Sequence, residues 1–138
     1  MRSKMILLLL TAALFFIVPA TAQEKEPEKP KTPAPHLVIK ALEHDFGEVK
    51  AGTPLNFSFV FENQGNDTLR VHSVKASCGC TTTKYDKIIA PENKGEITLA
   101  IANTKNYNGS VVKSATVATN DPDQPTFRLT LRANFKKE

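Results

Sequence analysis

The chain has 138 residues, with 18 basic and 14 acidic side chains, three histidines, two cysteines and no tryptophan. That length supports one hydrophobic core after any leader is removed, not two. The basic residues are interspersed with acidic ones and form no stripe, which argues against nucleic acid as a partner.

The chain opens with Arg2 and Lys4, continues through an uncharged run from Met5 to Val18, and reaches Ala20-Thr21-Ala22. Positive charge, apolar run and small-residue site in that order predict a secretory signal peptide over residues 1–22, cut between Ala22 and Gln23. A spanning helix needs about 20 apolar residues, and Pro19 ends this run sooner, so no stable membrane anchor is expected after cleavage. Neither cysteine stands at the cleavage point, so no lipid anchor is expected either. Loss of Arg2 and Lys4 leaves 16 basic against 14 acidic residues, a net +2. Gln23 to Pro35 holds four prolines, several charges and no large apolar side chain. It is expected to be a solvated, disordered spacer leaning toward polyproline II.

The remaining segment, residues 36–138, carries period-two apolar alternation, which places alternate residues on one face of a strand. Leu37-Val38-Ile39 and Ile88-Ile89 read as short outer strands. Leu55, Phe57, Phe59 and Phe61 give the clearest alternation, and Leu69 and Val71 begin a strand whose pattern slips at Ser73-Val74, as a β-bulge would cause. Ile97, Leu99 and Ile101 follow, then Ala115, Val117 and Thr119, and finally Phe127, Leu129, Leu131, Ala133 and Phe135. Turn residues punctuate these runs, as at Asn63-Gln64-Gly65-Asn66-Asp67 and Asn120-Asp121-Pro122-Asp123. The expected fold is all-β, an immunoglobulin-like β-sandwich of about seven antiparallel strands. Two cysteines only two residues apart exclude the antibody type with its cross-sheet disulfide.

Four segments carry a family resemblance: His44-Asp45-Phe46-Gly47-Glu48-Val49, Phe59-Val60-Phe61-Glu62-Asn63-Gln64-Gly65, Ser77-Cys78-Gly79-Cys80-Thr81 and Thr119-Asn120-Asp121-Pro122. In order and spacing they resemble the bacterial domain-of-unknown-function family 1573. The resemblance implies an immunoglobulin-like domain related to the Hydin type, found mostly in exported bacterial proteins, with no established activity. The family usually has a glycine in the turn after Pro91, where this chain has Glu92.

Cys78-Gly79-Cys80 is the one place where the sequence sets two reactive side chains together, and three readings stay open. The sulfurs could be structural, as buried thiols or a local disulfide; an exported protein favours the disulfide. They could form a soft half-site for copper(I) or zinc, completed by His72. They could exchange disulfides, because a small ring gains little entropic stabilisation and is easily reduced. Among weaker candidates, Asn120-Asp121-Pro122-Asp123 could hold calcium or simply make turn hydrogen bonds. Asp67-Thr68-Leu69 resembles a short acceptor motif for O-linked glycans. His36, His44 and His72 show no spacing to a nucleophile, and no catalytic motif is present, so neither enzyme activity nor a cofactor is expected. The expected function is an exported non-catalytic module that binds or assembles with a protein partner in the periplasm or at the cell surface. Metal or thiol-disulfide handling is the alternative.

Overall fold

The computed structural model describes residues 32–137. The predicted signal peptide and the spacer up to Lys31 lie outside these residues. Nine strands and, among the described residues, no helix make two facing sheets. One sheet contains β1 (Leu37–Ile39), β3 (Leu55–Asn63), β7 (Lys94–Ile101) and β5 (Thr81–Tyr85), in the order β1-β3-β7-β5. The other contains β2 (Glu43–Lys50), β9 (Thr126–Lys136), β8 (Gly109–Thr119), β4 (Leu69–Ala76) and β6 (Ile88–Ile89), in the order β2-β9-β8-β4-β6.

The predicted alternations point inward and meet. Phe59 and Phe61 of β3, Ile97 and Leu99 of β7, Val117 of β8, and Leu129, Leu131 and Phe135 of β9 are all fully buried. Each such side chain contributes roughly 1.5–3 kcal/mol relative to exposure. β4 has its register shift between Val71 and Ser73, which lets Val71 and Val74 both face the core despite their odd spacing.

Two strands do not appear as periodic runs in the sequence, and both belong to segments that change sheets. Residues 37–50 leave the first sheet after β1 and join the second as β2, which pairs with β9 in parallel. The sandwich is therefore not wholly antiparallel. Residues 81–89 likewise pair first with β7 as β5, then with β4 as β6. Glu43 and Glu48 of β2 bind Arg132 and Lys136 of β9, each at 2.6 Å, which fixes the parallel edge from its polar face.

The end of the predicted spacer is part of the domain. The Ala34 N–H donates to Asn66 Oδ1 at 2.9 Å, the Asn66 N–H donates to the Ala34 carbonyl at 3.2 Å, and Pro35 is buried. This segment passes directly over Gly65, where any Cβ would overlap the Ala34 carbonyl oxygen and lie 2.5 Å from the His36 nitrogen. Only glycine fits under that crossing.

Candidate functional site

The motif residues lie at two opposite ends of the sandwich. At the end where the chain enters, Asn63 is wholly buried. Its Oδ1 accepts from the His36 and Gly65 N–H groups, and its Nδ2 donates to the Asp67 and Ile89 carbonyls. Asp121, 1% exposed, works in parallel. Its Oδ2 accepts from the Leu37 N–H at 2.6 Å, and its Oδ1 accepts from the Asp123 and Gln124 N–H groups. Both side chains thus satisfy backbone donors that no ladder reaches. His36 Nδ1 stands 3.9 Å from Asp121 Oδ2 and 3.8 Å from Asp123 Oδ2. Among the described residues this is the one trio of His, Cys, Asp or Glu close enough to share a cation. The carboxylate of Asp121 is already engaged by the backbone. Asn120 also serves the fold, accepting from the Arg70 N–H and donating to the Thr68 carbonyl.

Cys78 and Cys80 lie at the other end, in the turn from β4 to β5, and are joined in a disulfide with their Cα atoms 5.4 Å apart. The Thr81 N–H closes the turn onto the Cys78 carbonyl at 3.3 Å. His72 is exposed on β4 and is not gathered with the cysteines. With each sulfur bonded to the other, neither is a thiolate open to a metal, so the Cys78, Cys80 and His72 ligand set is not assembled. What meets the sulfurs instead is Tyr107, from the β7–β8 loop. Its hydroxyl donates to Cys80 Sγ at 3.3 Å, while the Thr81 hydroxyl lies 3.7 Å from Cys78 Sγ. The Tyr107 ring packs on Phe135 with centroids 5.3 Å apart, and Lys113 Nζ lies 5.1 Å from its centroid. Nothing in the sequence spacing couples Tyr107 or Lys113 to the cysteines. The β7–β8 loop brings Tyr107 there, and β8 brings Lys113 over its ring.

A third feature follows from the departure of residues 40–42 for the second sheet. β1 covers β3 only from Phe61 to Asn63, whereas β7 covers β3 from Leu55 to Glu62. The Gln64 N–H donates to the His36 carbonyl on the β1 side, and the Asn63 N–H donates to the Asn93 carbonyl on the β7 side. Backbone groups alternate sides in an antiparallel pair, so those of Asn56, Ser58 and Val60 also point to the β1 side. Among the described residues no strand pairs with them. Half-buried rings flank this open edge: His44 of β2 stacks on Phe57 of β3 at 3.7 Å between centroids, and Phe46 stands edge-on to His44 at 4.6 Å. Where β1 ends, a groove of about 250 Å³ is lined by Val38, Lys40, Val60, Phe61 and Lys94. Val60 is 55% exposed.

Comparison with known proteins agrees with this architecture. A family model described as a protein of unknown function (DUF1573) matches residues 37–135. No curated protein matches the chain at a significant level. Among solved structures, a protein of unknown function from Porphyromonas gingivalis W83 superposes with a TM-score of 0.65 at 20% identity. The match covers 80% of this chain and 51% of that one, so this chain spans about half its length. The ASH/PapD-like domain 7 of human CEP192 gives a TM-score of 0.59 at 11% identity, covering 86% of this chain and 97% of that domain. The secreted serine protease VesC from Vibrio cholerae gives 0.55 at 11% identity, over 72% of this chain and 23% of that one. These likenesses are of fold alone, a β-sandwich. Since the family match runs from the first residue of β1 to the penultimate residue of β9, the chain belongs to the DUF1573 family of proteins of unknown function.

Proposed function

We propose that this chain is a non-catalytic binding module of the bacterial cell envelope that captures an extended segment of a partner protein at the open edge of β3. The observation that carries the reading is the run Asn56, Ser58 and Val60, whose backbone N–H and C=O groups face outward beside the His44, Phe46 and Phe57 rings. An incoming strand would continue the line that β1 abandons at Ile39. Main-chain hydrogen bonds would supply affinity, and alternate side chains would settle on the rings and in the Val38–Val60 groove. What the edge offers is hydrogen bonding and apolar surface, not a reacting group. The compartment rests on the leader read in Met1 to Ala22.

The test removes one donor without touching the core. The Ser58 N–H faces the open side, so Ser58→Pro leaves the backbone hydrogen bonds to β7 in place and gives up only the Ser58 Oγ–Thr98 Oγ1 contact, and proline is tolerated on such an edge. Extended peptides selected from a displayed library should slow amide exchange at Asn56, Ser58 and Val60 of the wild-type chain. They should lose about tenfold or more in affinity for Ser58→Pro. Val112→Lys, on the outer face of the other sheet, should bind as the wild type does. Peptides that bind Ser58→Pro undiminished, or that protect other amides, would sink the proposal.

A further inference from the structure

We infer that Cys78–Cys80 is a thiol-disulfide exchange site in which an external dithiol attacks Cys78 Sγ and Cys80 leaves as a thiolate held by Tyr107. Three observations converge. First, the bond closes a loop of only three residues, so it constrains the unfolded chain less than any larger loop would. Second, the two sulfurs are served unequally: the Thr81 hydroxyl stands 3.7 Å from Cys78 Sγ, whereas a nearer donor faces Cys80 Sγ. Tyr107 donates to Cys80 Sγ at 3.3 Å, and a hydroxyl that is a weak partner for a disulfide sulfur becomes a strong one for a thiolate. Lys113 over the ring draws electron density from the phenol and makes its O–H a better donor. The ring is held in place by the Tyr107 N–H, which is tied to the Thr104 carbonyl at 3.0 Å, and by its tilted packing against Phe135. Third, Gly79 is not demanded by the backbone. It is absent from the left-handed region, and a Cβ there would meet nothing within 4 Å. A glycine at that position leaves the bond uncovered on its outer side.

The chemistry balances. A thiolate of the incoming dithiol bonds to Cys78 Sγ as the Cys78–Cys80 bond breaks, and the electron pair leaves on Cys80 Sγ. The second thiol of the partner then attacks its own sulfur in the mixed disulfide and releases Cys78. The partner is oxidised to a disulfide, the pair is reduced to two thiols, and two electrons and two protons have moved. In reverse, the same site would reduce a partner disulfide.

The experiment uses the purified chain with dithiothreitol as the dithiol. In the reduced state, thiolate absorbance near 240 nm is followed against pH in Cys78→Ser and in Cys80→Ser. Each variant reports one sulfur. Cys80 should titrate about one pH unit below Cys78, the tenfold effect of one hydrogen bond to a charged acceptor. In Tyr107→Phe, which keeps the ring on Phe135, that difference should vanish, and reduction of the disulfide by dithiothreitol should slow several-fold while the melting temperature of the oxidised protein holds. Equal titration of the two thiols, or a reduction rate unchanged in Tyr107→Phe, would overturn the assignment. The single-cysteine comparison decides the matter even if Tyr107→Phe does not fold.

Discussion

Replacing Asn63 by alanine tests whether the turn after β3 is held by one side chain. The amide makes four hydrogen bonds, to the His36 and Gly65 N–H groups and to the Asp67 and Ile89 carbonyls. A net hydrogen bond contributes about 1 kcal/mol, so their loss together costs ~4 kcal/mol. The bond to Ile89 is fully buried, so its carbonyl is left without a partner, while water can reach the part-buried remainder and return some of the loss. A net destabilisation of roughly 3–4 kcal/mol is expected, against a total of about 5–15 kcal/mol for a domain of this kind. Urea unfolding monitored by circular dichroism should show the midpoint falling in proportion, with the slope unchanged. Asn63→Asp sharpens the test. It keeps both acceptor contacts and turns the two donor contacts into oxygen facing oxygen, so it should be no better than alanine at neutral pH. A loss below about 1 kcal/mol in both variants would show that water replaces the amide, and would refute the idea that Asn63 holds the turn.

Two further substitutions probe individual turns. Glu92 is the one described non-glycine residue with positive φ, at 62°, and it occupies the position where the family resemblance implies glycine. Glu92→Gly should therefore raise stability by about 1 kcal/mol, read as an increase in the urea midpoint, because its N–H bond to the Asn63 carbonyl is a backbone contact and survives. Converting both Cys78 and Cys80 to serine should cost no more than ~1.6 kcal/mol, the ceiling for a three-residue loop, and should leave peptide capture at β3 within twofold. A larger loss, or a lost edge, would make the disulfide a scaffold element.

Much of the fold can be read from the chain because burial imposes alternation. β7 and β9 bury every second residue, as do most of β3 and the second half of β8 from Ala115, and so these runs announce themselves. β2 is not legible: its inward residues are His44, Phe46 and Val49, only partly buried, and the register shift between Asp45 and Glu48 breaks the period. β5 is not legible because Thr81-Thr82-Thr83 offers no contrast between faces. These are the strands that change sheets, and half-burial on a sandwich rim is what weakens their signal. The same cause hides the candidate binding edge. Asn56, Ser58 and Val60 alternate with the apolar residues of β3, but whether their backbone groups are paired depends on where β1 stops, a fact of tertiary pairing. The cysteine pair is visible at once, whereas its neighbour Tyr107 comes from a loop 27 residues away.

The motifs differ in how completely the fold accounts for them. Asn63, Gly65, Asn120 and Asp121 are each required by a named backbone crossing or hydrogen bond, and nothing about them is left over. Cys78-Gly79-Cys80 is the reverse case: its ring stabilises little, its glycine is needed neither for φ nor for space, and its second sulfur is given the nearer of two hydroxyl donors. The open β3 edge lies at the same end of the first sheet, since Thr81, Ile101 and Leu55 stand in one row across β5, β7 and β3. Two strand spacings of about 4.8 Å separate the backbone after the disulfide from that edge. Ile101 between them is buried and paired on both sides, so opening the disulfide frees the β4–β5 turn without unpairing β3. The proposed capture and the proposed exchange are therefore separable by position, one on the β3 margin of the first sheet and the other in the turn that leads into β5 on its opposite margin.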